Sequence, residues 1–265
     1  RNNRLIVEMV FQGLEQRAAL SAWQGLADFV AASPQDFEEA SPRLALVLPA
    51  RNFWDPTYLK ANLPGAITND DRPGADSRNW WWTGDGEQAW RYWHGFSSAW
   101  LPATLLRGDG PARLAQSWFS ASRHWSTALH FNKGLAGASQ ATLAASRDTA
   151  INPEVLDAFA LAIISGDGPS GGPGLPEPDF AVARKDAVSI QTAMFELRKA
   201  APNAGCYLSE MDYFNPDWRQ ACWGANWDRL SRIKRRYDSA GLFIVHHGVG
   251  SEAWSNDGFV PAKST

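Results

Sequence analysis

From Asp179 to Gly205 the sequence reads DFAVARKDAVSIQTAMFELRKAAPNAG, with Ala183, Ala187, Ile190, Met194 and Leu197 on one stripe of a helix. A helix with a single apolar side needs an apolar surface to lie on. Strand-like runs on either side of it offer one. LIVEMVF (Leu5 to Phe11) is apolar almost throughout, and PRLALVLPA, beginning at Pro42, is a second such run. Between them, EQRAALSAWQGLADFVAAS sets Leu20, Trp23, Leu26 or Ala27, and Val30 at helical spacing, until Ser33-Pro34 stops it. Further on, ALAIIS reads as a strand. Ser126 to Lys133 alternates Ser126, Ala128, His130 and Asn132 against Thr127, Leu129, Phe131 and Lys133. CYLSEMD (Cys206 to Asp212) reads as the strand after the long helix. Asn152-Pro153 and Asn215-Pro216 are helix starts, an amide cap followed by a proline with preset φ. Helices and strands interleave without a strict βαβ rhythm. The expected fold class is therefore α+β, a largely antiparallel sheet covered by helices on one face.

The chain's 265 residues, 45% of them hydrophobic and 20% charged, are enough for a sizeable core. A formal net charge of −3 gives no reason to expect nucleic acid or an anionic membrane as partner. The longest apolar run is far short of a membrane span, and no signal peptide opens the chain. The first residue is not Met, so a processed product or a piece of a longer protein is expected, and its compartment, export included, stays open. Cys206 and Cys222 make neither a disulfide framework nor a metal quartet, and two buried thiols is the favoured reading over a pair. Several of the 14 tryptophans crowd into NWWWTGDGEQAWRYWHGFSSAW, Asn79 to Trp100. That density fits a rigid core or interface first, and an aromatic ligand surface second.

Glu210 is the sharpest candidate for chemistry. On a strand whose same-side neighbours are Cys206 and Leu208, a carboxylate would lose water and become a better acceptor for a hydroxyl proton. The bland alternative is an ion pair with an arginine of the following basic helix. His130, Asn132 and Lys133 in LHFNKG form a polar cluster suited to orienting a substrate oxygen or to capping a strand. His246-His247 is not expected to hold a metal, because adjacent side chains on extended backbone point apart. His94 and His124 read as satisfied core histidines. In RLSRIKRRYD the cations Arg229, Arg232, Lys234, Arg235 and Arg236 surround an expected buried stripe of Trp227, Leu230, Ile233 and Tyr237. No nucleophile elbow, phosphate loop, zinc-helix motif or dinucleotide fingerprint is present.

The C-terminal part has a denser pattern. Tyr207, Ser209, Glu210 and Asp212 are followed by Trp223, Gly224, Asn226, Arg229 and Leu230, then by Lys234, Tyr237, Asp238, Gly241, Leu242 and Phe243. This resembles the closing signature of the berberine-bridge-enzyme-like FAD-linked oxidases of the vanillyl-alcohol oxidase (VAO) superfamily. RHWSTALHFNKGLAG and INPEVLDAFALAIISGDGP are similar to the substrate-domain sheet of bacterial members. The resemblance implies a substrate-binding domain over 1–214 and a segment, 215–265, returning to an FAD-binding domain. That domain, with its flavin-attaching His and often Cys, is absent from this sequence, and residue 1 would fall inside the substrate domain. The partners implied are an FAD-binding domain or chain and a small-molecule substrate. The chemistry implied is hydride transfer from an alcohol, sugar or secondary-metabolite C–H to flavin N5, with dioxygen as the usual acceptor. Glu210 stands where many members carry a catalytic Tyr and would be the base. His130, Asn132, Lys133 and Tyr207 would bind substrate, while Trp223, Asn226 and Arg229 would lie near the cofactor. The rival readings are a non-catalytic carbohydrate-binding module and a partner subunit.

Overall fold

The computed structural model describes residues 3–41, 43–131, 135, 138–255 and 258–262, the side chain of Glu87 excepted. Two compact units divide the chain, 1–86 and 87–265.

In the first unit, helices α1 (Gln16–Ala22) and α2 (Gln24–Ala31) occupy the expected helical stretch but break at Trp23. Their buried residues are Ala19 and Ala27, while the expected Leu20 and Leu26 stay exposed. Helix α3 (Pro56–Asn62) starts where Asp55 accepts hydrogen bonds from the N–H groups of Thr57 and Tyr58. Strands β1 (Ile67–Asn69) and β2 (Trp80–Trp82) then form a short antiparallel pair. Next to that pair, Arg72 grips the buried Asp70 carboxylate with two bonds of 2.7 and 2.6 Å. This grip holds the Asp70 carboxyl far below the usual carboxylate range.

The expected strands at 5–11 and 43–49 do not form. Both segments are non-regular, and Leu5, Ile6, Val10 and Leu44 are exposed. Apolar character fits a strand, but a strand exists only where a second one completes its ladder. Among the described residues neither run has such a partner.

The second unit is built on strands β3 (Tyr92–Pro102), β4 (Ala128–His130) and β5 (Ala158–Gly168), all antiparallel in the order β3-β5-β4. Helix α4 (Gly110–Ser122) follows β3, and α5 (Gln140–Arg147) and the one-turn α6 (Glu154–Asp157) precede β5. The long helix α7 (Phe180–Arg198) packs on β3 and β5, and α4 packs on α7. Asp179 starts α7 by accepting from the N–H groups of Ala181 and Val182. Strand alternation puts Ala99, Leu101, Ala162 and Ile164 on the helix side, against Ile190, Met194 and Leu197 of the expected stripe. The other side carries Phe96, Trp100, Leu161 and Ile163, and among the described residues no helix of comparable length packs on it. Helices α8 (Trp218–Trp223) and α9 (Trp227–Tyr237) close the chain. Asn152 accepts from the Glu154 N–H and Asn215 from the Asp217 N–H, but these are turns just upstream: the cap positions fall at Pro153 and Asp217, not at the expected asparagines. The stripe assigned to α9 is not buried. Ile233 is exposed and Tyr237 is 77% exposed.

No helix among the described residues is long and apolar enough to cross a membrane. Among the clustered tryptophans Trp100 is buried, Trp80 and Trp82 are half-buried, and Trp81, Trp90 and Trp93 are exposed, so the segment is only partly core.

Candidate functional site

On the side of the β3-β5-β4 sheet opposite α7 lie two cavities. The first, about 340 Å³, is walled by Trp93, Phe96, Ile163 and Ala128, with Ser126, His130, Ser165 and Glu210 supplying polar groups. The second, about 750 Å³, runs from Trp100, Leu161 and Val155 past His130 and Phe131 to Tyr207, Glu210, Cys206, Cys222 and Trp223. His130 and Glu210 line both. A carboxylate and an imidazole thus converge on space framed mainly by aromatic and aliphatic groups with a few further polar ones, the composition of a small-molecule site.

Glu210 reaches that space by a route different from the one expected. Cys206 to Asp212 is not a strand. The chain runs beside the outer edge of β3, where Gly205 O accepts from the Trp100 N–H at 2.9 Å. The ladder then fails at once. The next edge carbonyl, Ser98 O, is taken by the Arg198 guanidinium at 3.1 Å, and the Tyr207 N–H goes to Ser98 Oγ at 3.0 Å. Cys206 N–H turns instead to Ala221 O of α8 at 2.8 Å, and a turn closes from Glu210 N–H to Tyr207 O at 3.0 Å. An arginine and a serine therefore use up the edge that a fourth strand would need. Glu210 is half-buried, and among the described residues its carboxylate forms no ion pair, so the expected alternative of an arginine of the basic helix is not met.

Two glycines allow the close approach of this turn to its neighbours. At Gly205 a β-carbon would lie 2.7 Å from Ala221 O, and at Gly224, where φ is +51°, it would lie 2.7 Å from Asn152 Oδ1. Asn152 is itself buried and donates to Ala221 O at 3.0 Å. Glu154 completes the clamp by accepting the Gly205 N–H at 2.6 Å.

The other expected site residues fall into three groups. His130 and Tyr207 line the larger cavity, Tyr207 with its ring edge-on to Trp100. Trp223 lines it too, its indole N–H bonded to His247 O at 3.1 Å. Asn226 and Arg229 line neither cavity. Asn226 donates to the carbonyls of Thr149 and Ile151, and Arg229 pairs with Asp148 at 2.7 Å, so both tie the 148–151 segment to α9. Asn132 and Lys133 lie outside the described residues. Sequence reasoning missed the cavity walls on β3 and β5. Their signal was the period-two alternation itself, which sends Phe96, Trp100, Leu161 and Ile163 to one side.

The histidines divide as well. His94 is half-buried, its side chain largely covered and bonded to Asp186 at 2.8 Å, close to the expected core histidine, whereas His124 is exposed. His246 and His247 do not point apart. His247 takes a φ of +61°, which kinks the chain and sets the two rings 3.8 Å apart, with His246 stacked on Tyr213 and His247 on Trp218. Burial, reinforced by the neighbouring His246, pulls His247 down to about 4 against the opposing pull of Asp212. Among the described residues no group of three or more His, Cys, Asp or Glu side chains is placed to hold a metal ion.

The run Lys234 to Phe243 has a structural explanation. Asp238 pairs with Lys234 and accepts from the N–H groups of Leu242 and Phe243 at 2.8 and 3.0 Å, and Lys234 also donates to Phe243 O. Gly241, at a φ of +67°, leaves room for Trp254. The motif is a tied turn that ends α9.

The fold is similar to part of a solved VAO-type flavoprotein. MtVAO615 of Myceliophthora thermophila C1 superposes on 92% of this chain, and 38% of its own, with a TM-score of 0.59 at 20% identity. Residues 206–250 match the family described as "Berberine and berberine like". An uncharacterized FAD-linked oxidoreductase of Arthroderma benhamiae is 34% identical over 117 residues, 43% of this chain and 18% of that protein. The flavin-dependent oxygenase ucdF of Aspergillus ustus is 50% identical over 58 residues, 22% of this chain and 11% of that protein. The chain spans well under half the length of these relatives.

Proposed function

We propose that this chain is the substrate-facing part of an FAD-dependent oxidoreductase. The observation that carries this reading is the convergence of Glu210 and His130 on both cavities of the sheet face opposite α7. The berberine-like match over the residues that build the Glu210 turn supports it. The residues present fit the ring end of a flavin, since flat aromatic walls, an imidazole and a carboxylate suit a planar redox ring and a polar substrate. Trp223 and Tyr207 would hold the ring end. A diphosphate cradle would come from polypeptide outside this chain. When bound, the flavin supplies a hydride acceptor.

The remaining steps belong to this chain. Trp93, Phe96 and Trp100 exclude water and bury the apolar part of an alcohol, sugar or secondary-metabolite substrate. His130 orients the reacting oxygen. Glu210 takes the hydroxyl proton on a carboxylate oxygen as the carbon gives up its hydride. Asn226 and Arg229 contribute indirectly, by fixing the segment that leads into α6. Residues 1–214 form the substrate-binding portion and 215–265 return to the FAD-binding domain. The exposure of Phe214, Leu242, Phe243 and Val245 supports such a covering partner. Dioxygen is the proposed final acceptor.

The test is stopped-flow flavin reduction in the full polypeptide. Glu210→Gln, which keeps shape and removes the proton acceptor, is expected to slow reduction by about 10²-fold or more with unchanged melting. Unaltered reduction would sink the assignment.

A further inference from the structure

We propose that Cys206 and Cys222 are a redox-modification site, a dithiol that a small hydroperoxide entering the larger cavity converts to a disulfide. The inference stands on the two thiols and does not depend on the flavin reading.

The sulfur atoms lie 3.5 Å apart, and the backbones are already tied, Cys206 N–H to Ala221 O at 2.8 Å. Bond formation needs a contraction to about 2.05 Å, within reach of side-chain rotation and a small shift of the turn. Both thiols are buried from bulk solvent, yet both line the larger cavity, which gives a small oxidant a path and excludes bulky ones. Met211 Sδ sits 3.1 Å from Cys222 Sγ and 4.0 Å from Cys206 Sγ, crowding the pair from one side.

The two thiols are not equivalent. The contact with Cys222 draws the Cys206 thiol below its usual range, aided by Arg198 and opposed by burial and Glu154. The same contact, together with burial, pushes the Cys222 thiol well up. Such asymmetry suits one nucleophile and one resolving thiol. The Cys206 sulfur attacks a peroxide oxygen, breaking the O–O bond, to give a sulfenic acid and an alcohol or water. The Cys222 sulfur then attacks that sulfenic sulfur, forming the S–S bond and releasing water. Two thiols thereby lose two electrons and two protons, and the hydroperoxide is reduced. The product ties the start of the Tyr207–Glu210 turn to α8.

Trypsin places the two cysteines on adjacent peptides, 200–219 and 220–229. The full native protein is treated with hydrogen peroxide, unfolded, alkylated with iodoacetamide and digested without reductant. The two peptides are expected as one cross-linked species that separates on reduction, with a rise of several degrees in melting temperature before digestion. In Cys222→Ser the cross-link is lost and Cys206 is instead trapped by dimedone. Recovery of both peptides separately, alkylated on each cysteine or oxidised singly to sulfinic acid, overturns the proposal. The wild-type measurement decides even if the variant fails to fold, and sulfoxide on Met211 is read in the same spectrum.

Discussion

The two sides of the β3-β5-β4 sheet are made by the same three strands yet obey different rules. The helix side is filled by small and aliphatic residues, with Ala99, Ile164, Ile190 and Leu197 at or near complete burial. The opposite side carries rings, hydroxyls, an imidazole and a carboxylate around open space. Period-two alternation lets one strand serve both purposes, because each residue answers to one side only. Packing on the helix side can therefore hold the sheet rigid while side chains opposite serve a ligand.

That contrast can be broken by mutation. The largest expected loss of stability comes from Leu197→Ala, which empties a fully buried position and should cost about 2–5 kcal/mol, read from the denaturant midpoint. A cost below about 1 kcal/mol would show that the helix side is less tightly filled than its burial indicates. Trp93→Ala, half-exposed on the cavity side, should cost only about 1 kcal/mol and should weaken ligand binding more than folding. A cost equal to that of Leu197→Ala would erase the distinction between the sides.

The smallest effect at neutral pH concerns His247, whose carbonyl holds the indole of the cavity wall Trp223. His247 binds its proton at about pH 4 in the folded chain and near 6.5 when unfolded. Between those values the unfolded state holds more protons, so stability is full above pH 6.5 and falls as pH drops towards 4. Melting curves across that window should show the decline in the wild type and a flatter profile in His247→Gln. Identical profiles would show that the His247 ring is not the source of the decline.

Much of the helical content was legible. The start of helix α7, where Asp179 caps it, was not read, but the helix and its buried stripe follow from spacing, a local property. Asn152 and Asn215 announced their turns in the same way. The misread strands at 5–11, 43–49 and 206–212 share one cause. Apolar alternation states that a segment is able to pair, but a ladder also needs a free edge. At 206–212 that edge was taken by Arg198 and Ser98, residues distant from it in the sequence or hidden in an unremarkable helix end. The α9 stripe failed for a related reason, since amphipathicity describes a surface that some partner would cover and names no partner. At the site, Glu210 was found from position and resemblance, although the strand argument behind its position was wrong.

By itself the sequence determined the helix over 180–198 with its buried stripe, and that a carboxylate would follow Cys206 by four positions. Only the tertiary structure decided that this carboxylate sits on a turn, that it meets His130 in common space, and that two cysteines sixteen residues apart touch. Helix caps and side-chain alternation are fixed by neighbours along the chain, whereas edge pairing and cavity lining depend on which distant groups have already claimed the available hydrogen bonds.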